Sequence, residues 1–115
     1  MVVLEGQSAI VTGASRGIGR ATALRLASAD CAVFLAADGP AEALEAAAAE
    51  CRKAGKVRVE WGLFDLAELD ESKAMVEAAL ECFGKVDILV NNAGVRAHKL
   101  LGEFTHKDFE HVVGG

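Results

Sequence analysis

The stretch Thr12-Gly13-Ala14-Ser15-Arg16-Gly17-Ile18-Gly19 combines glycines, a hydroxyl and a guanidinium, the residue types that cradle an anion. An apolar run precedes it and a helical pattern follows it, so the turn joins a strand to a helix. Gly13 permits a sharp exit from the strand, and Gly17 leaves room for a diphosphate to approach the backbone. Gly19 lets the helix pack tightly on the sheet. The helix start then presents Ile18 and its neighbours with unpaired N–H groups and the positive end of the helix dipole. The spacing is Gly-x-x-x-Gly-x-Gly rather than the commoner Gly-x-Gly-x-x-Gly. A plain strand-to-helix connection is the alternative reading of such a turn. Two carboxylates, Asp38 and Asp65, follow later apolar runs, and Asn91 and Asn92 close a fourth.

These residues are useful together only if the elements between them form one sheet. Gln7 to Thr12, Cys31 to Ala37, about Val57 to Phe64, and Val86 to Asn91 read as buried strands. Between them, helical spacing runs from near Ile18 toward Ala29, then through Leu44, Ala47, Ala48 and Cys51. It returns through Leu69, Ser72, Val76, Ala79, Leu80 and Phe83. Pro40 suits a first helical turn, and Gly55 and Gly84 sit where C-terminal caps belong. Thr105 to Val113 reads as the start of another helix, with Glu103, Lys107, Asp108 and Glu110 on its exposed face. Strands that are apolar throughout and alternate with helices predict an α/β fold: a doubly wound, Rossmann-like parallel sheet in the order 3-2-1-4.

Composition limits the function. At 115 residues the chain makes one domain, residues 1–115, and 52% hydrophobic content supplies it with a core. A net charge of −5 without a cationic run argues against nucleic acid or a membrane surface as partner. No apolar stretch is long enough for a bilayer span, and Met1 to Gly6 lacks a signal-like core, so a cytoplasmic protein is expected. Cys31, Cys51 and Cys82 lack disulfide or Cys-x-x-Cys spacing and read as reduced, mostly buried thiols. His98, His106 and His111 lack companion ligands, so no metal is expected.

Taken with Asp87-Ile88-Leu89-Val90-Asn91-Asn92-Ala93-Gly94, the glycine turn resembles the short-chain dehydrogenase/reductase family across essentially the whole chain. The resemblance implies that Asn91, Asn92, Ala93 and Gly94 lie under a dinucleotide at the sheet's carboxyl end. It implies that the Asp65 carboxylate accepts a hydrogen bond from the adenine amino group while Leu66 packs on the ring. A helix-capping role is the alternative for Asp65. Dinucleotide folds place an acid after the second strand for the 2′-hydroxyl of NAD, or a base for the 2′-phosphate of NADP. Asp38 falls one position after the family's usual acid. Arg16 resembles the basic residue of NADP-preferring members. The two disagree, with a slight lean to NAD because no second base accompanies Arg16.

The reaction the resemblance implies is hydride transfer to or from a carbonyl or secondary alcohol of a small molecule. A Tyr-x-x-x-Lys pair, a Ser and an Asn act on the proton and the substrate. By family spacing that Asn falls just after Gly115 and the others lie further on. The chain holds no tyrosine, so Lys99 and Lys107 lack that partner and the chain alone is expected to be inactive, the cofactor-binding part of a longer fold. Strand four is then expected to be an open apolar edge that favours homo-oligomers. A catalytically inactive nucleotide-binding module acting through that edge is the second reading. A methyltransferase is a third, which leaves Asn91 to Gly94 unexplained.

Overall fold

Val, Ile, Phe and Leu recur on both faces of the first, second and fourth predicted strands, and such runs persist only where helices cover both sides of a sheet. A computed structural model of the chain, describing residues 4–92 and 111–113, has this arrangement. The elements are β1 (Ser8–Thr12), α1 (Gly17–Ser28), β2 (Ala32–Ala37), α2 (Ala41–Ala54), β3 (Val59–Leu63), α3 (Leu69–Phe83), β4 (Ile88–Val90) and β5 (His111–Val113). All strand pairs are parallel, in the order β3-β2-β1-β4-β5, which contains the predicted 3-2-1-4. The strands are shorter than their apolar runs by at most two residues at an end, the usual uncertainty of element boundaries.

Alternate strand residues divide the core in two. Ala9, Val11, Val33, Leu35, Ala37, Val59, Ile88 and Val90 pack with residues of α1 and α2, among them Ala23, Ala27, Leu44, Ala48 and Cys51. Ile10, Phe34, Ala36 and Leu89 face the other way, onto Met75, Val76 and Ala79 of α3. The period-2 alternation of strand side chains produces this division.

The structure departs from the sequence expectations at three places. Pro40 is the extended residue before α2, not a member of its first turn. Gly55 is the C-terminal cap of α2, as expected, and holds that place in an extended conformation (φ −148°) with its N–H donated to the Cys51 carbonyl. Its side chain is excluded by crowding: a Cβ would lie 1.9 Å from the Ala27 carbonyl oxygen. Gly84, at φ 79°, is the left-handed cap expected of it.

The second and third differences concern one segment. His111–Val113, expected to be helical, is a strand paired with β4 in the register Ile88↔His111, Leu89↔Val112, Val90↔Val113. Two adjacent valines favour the pleated sheet, and the pairing satisfies ladder groups that β4 would otherwise leave open. Residues 105–110, with the rest of that predicted helix, lie outside the described residues. Strand four is therefore not the open edge expected of it, because β5 covers the side through which copies of the chain would pair. At the β3 edge of the sheet, Arg52 donates a guanidinium hydrogen bond to the Val59 carbonyl at 2.7 Å.

Cys31 and Cys51 are buried and Cys82 is half-buried, all as free thiols. Burial, helped by the Asp87 charge, pushes the Cys31 thiol up to about 11 from its ordinary 9.0. Burial also raises Cys51. A thiol reagent at pH 8 is expected to label Cys82 first, with the other two reacting only on unfolding. The folded chain keeps the Cys31 proton while the unfolded thiol loses it, so this stabilisation is complete below pH 9 and declines toward pH 11. Urea midpoints across that range check the sign, and Cys31→Ala should flatten the slope.

Candidate functional site

At the carboxyl ends of β1, β2 and β3 the chain turns around a cleft of about 300 Å³. Leaving β1, Gly13 adopts φ 62°, a conformation that costs an L-residue about 1 kcal/mol or more. The Ala14 N–H then donates to the Ala36 carbonyl at 3.2 Å, drawing the loop across β2. Ser15 is buried and Arg16 is extended (φ −162°). Gly17, again at φ 62°, opens α1. No side chain caps this helix and no acid lies in its first turn, so its leading N–H groups are available to an anion.

The three glycines have distinct roles. A Cβ on Gly17 would meet nothing within 4 Å, so the backbone there borders open space, as expected of a residue a ligand approaches. A Cβ on Gly19 would lie 2.1 Å from the Gly13 carbonyl oxygen and 3.2 Å from Asn92 Nδ2. The close approach made by Gly19 is thus to the turn itself and to the end of β4. Ile18 is 78% exposed on the same rim.

One wall of the cleft is Gly13, Ser15 and Arg16; Ala37, Asp38 and Gly39 form the second. Phe64, Asp65, Leu66 and Ala67 form the third. Arg16 and Asp38 are both exposed, so each carries its charge at the cleft's mouth. Asp65 is not the cap of α3; Glu68 occupies that position. Instead Asp65 shapes the turn before the helix: its Oδ1 accepts the Ala67 N–H at 3.1 Å, and its own N–H donates to Glu71 Oε1 at 2.8 Å. Leu66 is 9% exposed and belongs to the α3 side of the core.

Thr12, which the sequence reading placed in the glycine motif without a role at the site, joins the ends of β1 and β4. Its Oγ1 accepts the Asn92 N–H at 2.8 Å and lies 3.2 Å from Asn91 Oδ1, to which it donates. Thr12 and Asn91 are buried. A small β-branched hydroxyl at a strand end facing two asparagines was the available signal. At the opposite end of β4, the Asp87 carboxylate accepts the Ser8 N–H at 2.9 Å and pairs with Lys85 Nζ at 2.9 Å. The Asp87 N–H donates back to the Ser8 carbonyl at 2.9 Å. These contacts set the register of β4 on β1 and so carry Asn92 to Gly13. Ala93 and Gly94 lie outside the described residues.

A second cleft, of about 590 Å³, opens at the amino ends of the strands. It includes none of the motif residues, and its Arg58 and Lys85 are already paired with Glu60 and Asp87. Among the described residues no three of His, Cys, Asp and Glu converge as a metal site. His98 and His106 lie outside them. No helix among the described residues is long and apolar enough to cross a membrane.

Comparison with known proteins agrees with this geometry. The 3-oxoacyl-acyl-carrier-protein reductase FabG of Staphylococcus aureus is 38% identical over 107 residues, covering 93% of this chain and 43% of that protein. The chain therefore spans less than half the length of the curated relatives it matches. A Serratia marcescens short-chain dehydrogenase/reductase structure superposes with a TM-score of 0.75 at 42% identity, covering 80% of this chain and 37% of that one. NAD+-bound xylitol dehydrogenase superposes at 0.74 with 38% identity, covering 79% and 34%. The family model described as short chain dehydrogenase matches residues 7–114, and the chain belongs to that family.

Proposed function

We propose that the chain is the nucleotide-binding part of an NAD(P)-dependent oxidoreductase that reduces a small carbonyl compound or oxidises a secondary alcohol. The carrying observation is the cleft whose walls are the glycine loop, Asp38 and Asp65, beside an uncapped helix start. The residues suit a dinucleotide. N–H groups at Gly17, Ile18 and Gly19 receive the diphosphate, and the open space over Gly17 admits it. Ser15 and Arg16 flank that position, Asp38 reaches the adenosine ribose, and Asp65 with Leu66 holds the adenine. Asn92, Ala93 and Gly94 support the nicotinamide side from the end of β4.

A nicotinamide bound there supplies or accepts the hydride. The chain's own residues bind and orient it, and with no tyrosine they do not supply the phenol that moves the substrate proton in the family. The isolated chain is therefore expected to bind the cofactor without turnover. Steroids, sugars and 3-oxoacyl thioesters are the substrate classes for the longer protein, and the free thiols suit a reducing compartment, the cytoplasm. The reading as an interaction module loses its support, since it depended on an open β4.

Asp38 faces the position of a 2′-phosphate, and repulsion there is worth about 1–2 kcal/mol at physiological salt. Energy transfer from the single tryptophan, Trp61, should report NADH binding roughly 5–30-fold tighter than NADPH binding. Asp38→Ala should erase most of that ratio, and Arg16→Ala should weaken NADPH more than NADH. Absence of saturable binding by either dinucleotide would overturn the assignment.

A further inference from the structure

One side chain outside the cleft joins the glycine loop, its first wall, to α2, the helix that follows its second wall. Arg20, on α1, donates from Nε to Glu50 Oε1 of α2 at 2.8 Å, with Nη2 2.7 Å from the same oxygen. Its Nη1 reaches the Ser15 carbonyl at 3.4 Å. Ser15 and Arg16 line the cleft, and Arg20 does not. A trans peptide points its C=O and N–H in opposite directions. Drawing the Ser15 oxygen to Arg20 therefore turns the Arg16 N–H away from Arg20. The other arm of the guanidinium holds α2, the helix that begins just after Asp38 and Gly39 in the opposite wall. A planar fork of donors serves both ends at once, which a lysine ammonium does not.

We infer that Arg20 is a positioning residue for the glycine loop, fixing the Ser15–Arg16 peptide against α2 through Glu50 and so setting dinucleotide affinity without touching the dinucleotide. This rests on the proposed cofactor site for its effect on affinity, and on the loop geometry alone for its effect on order. Arg20 and Glu50 are 32% and 51% exposed, so the effect is moderate and sensitive to salt.

The test uses the full chain with Arg20→Met, Arg20→Lys and Glu50→Gln, read by 15N relaxation and by NADH titration. In Arg20→Met the order parameters of the Arg16 and Gly17 amides should fall from the rigid range near ~0.85 toward ~0.6. The NADH dissociation constant should rise about three- to tenfold. Glu50→Gln should give a smaller change in the same direction, and Arg20→Lys should not restore the loop. In 1 M salt the difference between wild type and Glu50→Gln should shrink. A lowered thermal midpoint with unchanged loop order and unchanged affinity makes Arg20 merely structural and overturns the inference. If Arg20→Met does not fold, Glu50→Gln decides by the same two readouts. If the wild type binds no dinucleotide, the cofactor reading fails while loop order still decides the role of Arg20.

Discussion

Gly19→Ala should destabilise the chain by about 3 kcal/mol and abolish measurable dinucleotide binding. Helix propensity alone predicts the opposite, because alanine is worth about 1 kcal/mol more than glycine inside a helix. The new methyl, however, would sit 2.1 Å from the Gly13 oxygen and 2.8 Å from its carbonyl carbon, both backbone atoms. Gly13 has little room to retreat, since its own Cβ position is already 3.3 Å from Asn92 Cβ. Relief requires α1 to move away from the rim, which removes the N–H groups from the diphosphate position. Gly17→Ala is the control: it meets no atom within 4 Å and bears only the penalty of φ 62°, about 1–2 kcal/mol. Urea unfolding followed at Trp61 should rank the two variants in that order. A Gly19→Ala chain as stable as wild type would mean that α1 does not seat on the Gly13 turn.

The sequence exposed most of this site because its constraints are local. Strand, glycine turn and helix are consecutive, and three glycines at fixed spacing describe a backbone path in which each glycine answers a steric demand. Asp38 and Asp65 were legible for a similar reason, since parallel strands bring all their carboxyl ends to one rim. What stayed hidden depends on distant pairing. Gly55 looks like any cap in sequence, and only the approach of Ala27 from another helix shows why a side chain is excluded. Arg20 looks like a solvated helix residue until α2 places Glu50 against it. His111–Val113 has too few residues for its periodicity to separate helix from strand, and the neighbouring ladder decides. The joint action of Thr12 with Asn91 and Asn92 spans 79 to 80 residues of sequence, beyond any local pattern.

That long-range join depends on how β4 is anchored at its other end, and Asp87 provides the measurement. Asp87→Ala should lower stability by about 2–3 kcal/mol and weaken dinucleotide binding along with it. Asp87 is 4% exposed, and its carboxylate answers the Ser8 N–H at 2.9 Å. Removing it leaves a buried donor without that acceptor, a loss of about 1–3 kcal/mol, and adds a small cavity. The ion pair with Lys85 contributes little of this, because the Lys85 side chain is 54% exposed and water replaces its partner. Lys85→Met should therefore cost about 0.5 kcal/mol or less, and Asp87→Asn, which keeps an acceptor oxygen for Ser8, should fall between the two. If the charge pair were the main contribution, Lys85→Met would match Asp87→Ala instead. Binding separates anchoring from simple stability: with β4 free to shift on β1, Asn92 leaves Thr12 and Gly13, so NADH affinity should drop in Asp87→Ala even where the chain remains fully folded. Unchanged affinity in a folded Asp87→Ala chain would show that Thr12 alone holds the end of β4 in place.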